Sequence, residues 1–258
     1  MSDWEHRLAL ALATLQQRQR SDFIDQIADL AFEVPEAQGD AYLDRPGPWR
    51  AYRAATTKLY YEHIVAMETR EVARLLAAGG QGTARYAEMA SEPGRVSYQR
   101  VADMFAHVDF GRCRRFVMVG CGQLPVTALH VMDCTEVTDM VLLDVSAQAV
   151  EAVRSLSRTF GWNALKPVLC SGGDFDFSQA DVVYVGNMVS PKLDTVNQVL
   201  ATAPDEVQIV VREPYSLGRL WAEKVEPRVS ALVEITGRGP VSRHLSRDIY
   251  MRRRADRR

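Results

Sequence analysis

A short stretch between an apolar strand and a helix carries the clearest chemical signal in this chain. The apolar residues 116–119 lead directly into Gly120-Cys121-Gly122, as a buried strand leads into a tight turn. Glycines at such a turn let the backbone approach a ligand closely. Proline stands at position 125, where a dinucleotide fingerprint has its third glycine, and Pro125 fits the first turn of a helix. We therefore expect a ligand without a pyrophosphate group.

Two acidic residues follow the next two predicted strands. Asp144 ends the second strand, 22 residues after Gly122, where an acid hydrogen-bonds the hydroxyl groups of a ribose. Asp174 follows the third strand in the sequence SGGDFDF, where enzymes that use S-adenosylmethionine (SAM) hold the adenine amino group. Each acid taken alone is also compatible with a solvated loop residue. Together with the glycine turn, and in this order, they predict a SAM site.

Carboxylates also occur on the apolar face of a long helix predicted over residues 49–76. Tyr60, Met67 and Glu71 share one stripe of this helix by their i, i+4 and i+7 spacing, and Glu68 lies within the same apolar arc. Burying a carboxylate is unfavourable unless it is paired or used in chemistry. One interpretation is a buried ion pair with an arginine. The other is a carboxylate that faces the SAM cleft, where it would hold an ammonium group or accept its proton.

The elements that must position these residues fall into two halves. Residues 1–110 have the periodicity of helices, whereas from Arg115 onward strands alternate with helices. This alternation predicts an α/β fold with a parallel, doubly wound sheet. The predicted strands cover residues 115–120, 140–145, 180–187 and 206–213, and a further strand with the loop after it covers 167–174. The last two predicted helices cover 191–202 and 218–230, and a closing antiparallel pair covers 231–240 and 242–253.

This layout is that of the class I SAM-methyltransferase-like Rossmann fold, with a seven-stranded, mostly parallel sheet. We predict two domains, an N-terminal helical domain over residues 1–110 and a SAM-binding Rossmann-like domain over residues 111–258.

Composition narrows the choice of partners. The net charge is −2, so the chain has no excess of basic residues for nucleic acid. No apolar run approaches the roughly 18 residues that a membrane-spanning helix needs. The four cysteines form no CxxC pair, and the five histidines show no metal-ligand spacing. We predict a cytoplasmic enzyme that acts on a small molecule, without a metal, nucleic-acid or membrane partner, for which a homodimer is one possible assembly.

Several segments resemble one enzyme family. VGCGQLPVTALHV looks like the SAM loop of nicotianamine synthase and its bacterial relatives, which carry Gly-x-Gly-x-Leu-Pro, here ending in Leu124 and Pro125. LYYEHIVAMETREVARLL is similar to the Tyr-Tyr helix of that family, whose glutamate matches Glu71. LLDVSAQAV and GGDFDF match the ribose and adenine segments, and Lys192 and Arg212 stand at matching places near the fourth and fifth strands. The resemblance covers about residues 50–225.

The resemblance implies that the methyl group of SAM is not the group transferred. These enzymes move the 2-aminobutyrate (3-amino-3-carboxypropyl) arm of SAM to an amine and release methylthioadenosine. Small bacterial relatives use an amino acid such as histidine as the acceptor and make opine-type metallophores. A related reaction closes the arm on its own amine to give azetidine-2-carboxylate. A small-molecule methyltransferase and a SAM-binding module without activity remain open alternatives.

The resemblance and the shared chemistry also imply roles for individual residues. The attacking amine must be neutral, and Glu71 is the predicted base or ammonium-binding group. Arg212 would bind a carboxylate through two parallel bonds, and aromatic faces attract a sulfonium cation, although each tyrosine is also compatible with core packing. The predicted catalytic residues are Glu71, Tyr98, Asn187 and Tyr215, the predicted cofactor-binding residues are Gly120, Gly122, Leu124, Pro125, Asp144, Asp174 and Asn187, and the predicted substrate-binding residues are Tyr60, Tyr61 and Arg212.

Overall fold

The computed structural model describes residues 2–15, 20–80 and 85–254 of the chain. Within these ranges the helices are α1 (Asp3–Ala13), α2 (Arg20–Glu33), α3 (Glu36–Asp44), α4 (Arg53–Ala78), α5 (Tyr86–Met89), α6 (Glu92–Arg100), α7 (Val126–Cys134), α8 (Ala147–Phe160), α9 (Lys192–Thr202) and α10 (Glu226–Val229). The strands are β1 (Arg115–Val119), β2 (Asp139–Asp144), β3 (Leu165–Leu169), β4 (Val182–Val185), β5 (Gln208–Pro214), β6 (Val233–Arg238) and β7 (Ser246–Arg253).

Capping residues explain where two of the main helices begin and end. At the start of α8 the Ser146 side chain accepts a hydrogen bond from the Ala149 N–H, and Gly161 ends the same helix in the left-handed conformation. The long helix α4 ends at Gly79, which has a φ of 68°. None of the described helices is both long enough and apolar enough to span a bilayer.

The seven strands form one sheet in the order β3-β2-β1-β4-β5-β7-β6. Strands β1 to β5 run parallel to one another, and β7 runs antiparallel to both β5 and β6. The strand order reverses between β1 and β4, and in such sheets ligands bind at this switch point, beyond the carboxyl ends of the strands. The predicted seven-stranded, mostly parallel fold is confirmed.

Apolar side chains on both faces hold the sheet in the interior. In β1, Phe116 and Met118 belong to one buried cluster, and Val117 and Val119 belong to another. This alternation follows because successive side chains of a strand point to opposite faces of the sheet. The first cluster also includes Leu75, so α4 contributes to the core on this face of the sheet.

A third buried cluster joins the N-terminal helices to a later part of the chain. Leu8 of α1 and Phe23 of α2 pack in this cluster with Trp221, which follows β5. The Trp221 ring stacks on Tyr60 of α4, with ring centroids 4.7 Å apart. The predicted boundary near residue 110 falls just before β1, yet helices that precede it share this core with residues that follow it. The division into two domains stays a prediction.

One predicted helix is wrong. The segment 218–230 forms the 3-10 helix Ser216–Leu220 and, after a break, the short helix α10. Buried Glu213 explains the break, because its carboxylate accepts the Val225 N–H at 3.0 Å and ties this segment to the end of β5. The third strand, β3, ends at Leu169 and a loop follows it, in agreement with the strand and loop predicted over residues 167–174.

Replacing Trp221 with alanine tests the shared core. The side chain is 2% exposed, and Trp→Ala substitutions in cores cost about 3–5 kcal/mol of unfolding free energy. Urea denaturation should therefore show a loss of about 3 kcal/mol or more. Leu10→Ala is the control, because Leu10 is 53% exposed and its removal should cost less than about 0.5 kcal/mol. A loss below about 1 kcal/mol for Trp221→Ala would mean that the cluster does not hold the two parts together.

Candidate active site

A cleft of about 730 Å³ opens beyond the carboxyl ends of β1, β2, β4 and β5, with residues of α4 and α6 in its walls. This volume lies within the range of about 300–1,000 Å³ that is usual for small-molecule sites. The structure brings together nine of the residues predicted from the sequence. They are Tyr60, Tyr61, Glu71, Gly120, Gly122, Leu124, Asp144, Asn187 and Arg212.

The glycine turn is held in place by the end of β2. Gly120 and Gly122 have φ values of 73° and 65°, a conformation that favours glycine. Asp144 accepts the Gly122 N–H at 2.9 Å with one carboxylate oxygen and the Ser146 N–H at 2.8 Å with the other. An ionised carboxylate offers about four acceptor positions, so Asp144 keeps capacity for a ligand hydroxyl.

Glu68 of α4 lies directly against this turn. One carboxylate oxygen accepts the Gln123 N–H at 2.9 Å, and the Gln123 side chain in turn donates to Thr69 at 2.9 Å. Burial raises the pKa of Glu68 to about 7; backbone N–H groups of the turn oppose this rise, and the charge of Asp144 adds to it. The cleft therefore contains a carboxylate that changes its protonation state near neutral pH.

Glu71, one helical turn further along, has a different environment. Arg74 donates two hydrogen bonds to its carboxylate at 2.7 and 2.9 Å, and the Ser91 N–H donates a third at 2.9 Å. Burial acts to raise the pKa of Glu71, but these hydrogen bonds outweigh it and the pKa lies below its ordinary value. Glu71 thus forms the arginine ion pair that was one interpretation of the sequence, and it anchors the start of α6.

Arg212 already has a carboxylate partner within the protein. It donates two hydrogen bonds of 2.8 Å to Asp248, which lies opposite Arg212 in the pairing of β5 with β7. The Tyr184 hydroxyl also donates to Asp248, at 3.3 Å. The predicted two-bond geometry is therefore present, but the carboxylate is that of Asp248. This partner could not be predicted, because sequence patterns do not show the register between two strands whose paired residues are 36 positions apart.

Two further polar residues of the cleft have unused hydrogen-bonding groups. The Nε of Arg100, the last residue of α6, is buried without a hydrogen-bond partner among the described residues. Both polar atoms of the Asn187 amide are buried and equally without a partner there. The charge of Arg212 and burial lower the pKa of Arg100 to about 10, so the guanidinium is still charged at neutral pH. Sequence reasoning missed Arg100, because an arginine at the end of a helix is usually a solvated residue.

Tyr60 lies beside these cations. Burial raises the pKa of Tyr60 to about 12; the charges of Arg100 and Arg212 and the Asn187 amide oppose that rise. The hydroxyl lies 3.4 Å from the His244 carbonyl oxygen. Tyr60 is therefore a neutral hydroxyl group at the basic end of the cleft, whereas Tyr61 lies at its rim and is 49% exposed.

Four predicted site residues do not line the cleft. Tyr98 donates to Asp133 at 2.9 Å and packs on His130 of α7, which draws it away from the ligand space. Tyr215 lies between Phe32 and Arg247.

The remaining two are Asp174 and Pro125. Asp174 is exposed, and Cys170, Ser171 and Gly172 before it line the cleft instead. Pro125 caps α7 and its carbonyl accepts the Leu129 N–H at 2.9 Å.

Comparisons with known proteins identify the fold. No protein-family model matches the sequence, and no curated protein gives a significant match. The nicotianamine synthase MtNAS, solved with MTA and tNA, superposes with a TM-score of 0.79 at 13% identity over 99% of this chain and 100% of that chain. A glutamate-to-glutamine mutant of MtNAS, solved with SAM, gives a TM-score of 0.78 at the same identity and coverage.

A methyltransferase is similar over a smaller part of the chain. The mitomycin 7-O-methyltransferase MmcR gives a TM-score of 0.51 at 15% identity, over 81% of this chain and 69% of that chain. The chain therefore has the fold of SAM-dependent methyltransferases and of MtNAS, and the likeness to MtNAS includes the N-terminal helices.

The elevated pKa of Glu68 makes the stability of the protein depend on pH. Between the ordinary value of 4.5 and about 7, the folded protein retains a proton that the unfolded chain has released, so the unfolding free energy falls as pH rises. Glu68→Gln abolishes this loss. From about pH 5 to about pH 8 the variant should gain about 2–3 kcal/mol relative to the wild type in urea denaturation.

Glu71→Gln provides the matched control. The pKa of Glu71 lies below its ordinary value, so its contribution is lost only at more acidic pH and its difference from the wild type should stay constant across this range. Equal pH dependence in Glu68→Gln and the wild type would contradict a neutral-range pKa for Glu68.

Proposed function

We propose that this protein is a SAM-dependent transferase that moves the 2-aminobutyrate arm of SAM to the amine of an amino acid and releases methylthioadenosine. The observation that carries the proposal is the Glu68 carboxylate, which α4 holds against the glycine turn and whose pKa burial raises to about 7. A general base works best when its pKa lies near the working pH. Glu68 is thus suited to take the proton that an amine loses when it attacks SAM.

The fold supports this reaction over ordinary methyl transfer. MtNAS superposes on nearly the whole chain, whereas the methyltransferase MmcR matches less of it and less closely. One MtNAS structure holds MTA, the thioether that remains when the arm leaves SAM. Another, a glutamate-to-glutamine mutant, was solved in complex with SAM.

Residues at the strand ends would hold the nucleoside part of SAM. Gly120 and Gly122 let the backbone approach it, and Asp144 has acceptor positions left for ribose hydroxyls. The loop residues Cys170 and Gly172, which line the cleft after β3, would take the adenine side in place of Asp174. The arm of SAM would then extend toward α6 and the ends of β4 and β5.

The reaction balances with one base. The amine nitrogen forms a bond to Cγ of the arm, the bond from Cγ to sulfur breaks, and its electron pair converts the sulfonium to a neutral thioether. The amine gives up one proton, which Glu68 accepts. Because the methyl carbon and C5′ are also activated, the residues of the cleft must place the nucleophile in line with Cγ.

Glu68 is a better candidate for this base than Glu71. The oxygens of Glu71 are occupied by Arg74 and the Ser91 N–H, and its lowered pKa makes it a weak proton acceptor near pH 7. Glu68 has no arginine partner within the described structure, and its pKa is raised. We therefore transfer the predicted role of base from Glu71 to Glu68 and give Glu71 a positioning role.

The products of the reaction test the proposal directly. Mass spectrometry of the purified protein with SAM alone, and then with each amino acid, should show methylthioadenosine only when an acceptor such as histidine is present. The acceptor should become heavier by one aminobutyryl unit. Methylthioadenosine and azetidine-2-carboxylate from SAM alone would instead establish the cyclisation. S-adenosylhomocysteine would show methyl transfer and overturn the proposal.

The pH dependence of turnover tests the base. Because Glu68 must be ionised to accept a proton, kcat/KM should fall as pH drops below about 7. Glu68→Gln should lower kcat by about 10²- to 10⁴-fold while leaving SAM binding nearly unchanged. Glu71→Gln is the matched control and should keep the acidic limb of the profile. A Glu68→Gln variant with wild-type turnover would remove Glu68 from the reaction.

A further inference from the structure

The basic end of the cleft carries one charge that no described carboxylate neutralises. Arg100 and Arg212 lie close enough for the charge of one to lower the pKa of the other, and Asp248 binds Arg212 with both oxygens. His244 adds no charge, because burial and the nearby cations lower its pKa to about 4. Two cations and one carboxylate leave a net charge of +1.

Unpartnered donors lie at the same place. The Nε of Arg100 and the Nδ2 of Asn187 are both buried without a hydrogen bond to any described residue. Both side chains line the cleft and lie near the Tyr60 hydroxyl, where the Arg100 charge and the Asn187 amide each act to lower its pKa. Buried donors in native proteins are normally satisfied, and those that are not require an explanation such as a ligand.

A carboxylate fits these observations. Its single negative charge matches the net charge of this end of the cleft, and its planar oxygens match the donors of a guanidinium. Phosphate, with a larger charge, would leave an excess of negative charge. We propose that Arg100, assisted by the Asn187 amide, binds the α-carboxylate of the amino-acid group that reacts in this cleft.

This inference rests on the proposed function, which supplies two such carboxylates. One belongs to the aminobutyrate arm of SAM, and the other belongs to the acceptor amino acid. Arg212 does not take this role because its own two bonds to Asp248 are formed within the protein. Arg212 instead helps to hold the charge at this end of the cleft, and Arg100 makes the contact.

Calorimetric binding to Arg100→Met identifies the carboxylate. S-adenosylhomocysteine carries the α-carboxylate and methylthioadenosine lacks it. If Arg100 binds the arm, the variant should lose about 10- to 100-fold in affinity for S-adenosylhomocysteine and little for methylthioadenosine. If Arg100 binds the acceptor, both affinities should hold and the KM for the acceptor should rise by a similar factor.

Two further variants make the result specific. Arg100→Lys keeps the charge. It should therefore recover part of the affinity that Arg100→Met loses, or reverse part of the rise in KM. Arg95→Met makes the same change on the same helix, at an exposed residue paired with Glu92, and should behave as the wild type. Equal losses for both nucleosides in Arg100→Met, or no change in either affinity or KM, would overturn the assignment.

The test also separates this inference from the proposed function. If the wild type forms S-adenosylhomocysteine in turnover, the proposed reaction fails, yet the two nucleosides still report whether Arg100 binds a carboxylate. If the wild type forms methylthioadenosine and Arg100→Met binds both nucleosides and the acceptor normally, only the carboxylate assignment fails.

Discussion

The contact between the Glu68 carboxylate and the backbone of Gly122 constrains the rest of the site. A β-carbon at residue 122 would lie 2.6 Å from a Glu68 oxygen, closer than such atoms can approach, so only glycine allows the carboxylate to lie there. Hydrogen bonds from Gln123 to Glu68 and to Thr69 then fasten α4 to the turn. Because α4 also carries Tyr60, this fastening sets the position of the basic end of the cleft relative to the turn.

Two glutamates on one helix show how local surroundings divide similar residues between roles. Glu68 is partly desolvated and lies near Asp144. Both effects raise the pKa of Glu68, so Glu68 can bind and release a proton near neutral pH. Glu71 is held by an arginine and a backbone N–H, which keeps it ionised. The two residues have the same chemistry and lie one turn apart, and their partners alone make one suitable for proton transfer and the other for holding α6.

Local sequence patterns predicted most of the fold. They did not predict side-chain contacts between residues that are far apart in the sequence. The glycine turn, Asp144 and the strand alternation are contiguous or periodic features, so the sheet and the mouth of the cleft could be predicted. The bond from Arg212 to Asp248 depends on strand register, and the orientation of Tyr98 depends on Asp133 of a different helix. Nothing in the sequence shows that Arg100 turns inward, since its environment is built by residues from β4, β5 and α4.

The core shared by the N-terminal helices and Trp221 also has a consequence for how the chain folds during synthesis. Thr56 of α4 donates a buried hydrogen bond of 2.6 Å to the Leu220 carbonyl, across a sequence separation of 164 residues. At translation rates of about 5–20 residues per second, the two partners emerge from the ribosome roughly 10–30 s apart. The part of the apolar surface of α1, α2 and α4 that packs on Trp221 therefore has no partner while the sheet is still being made. Over that interval the apolar surface that Trp221 later covers stays exposed to solvent.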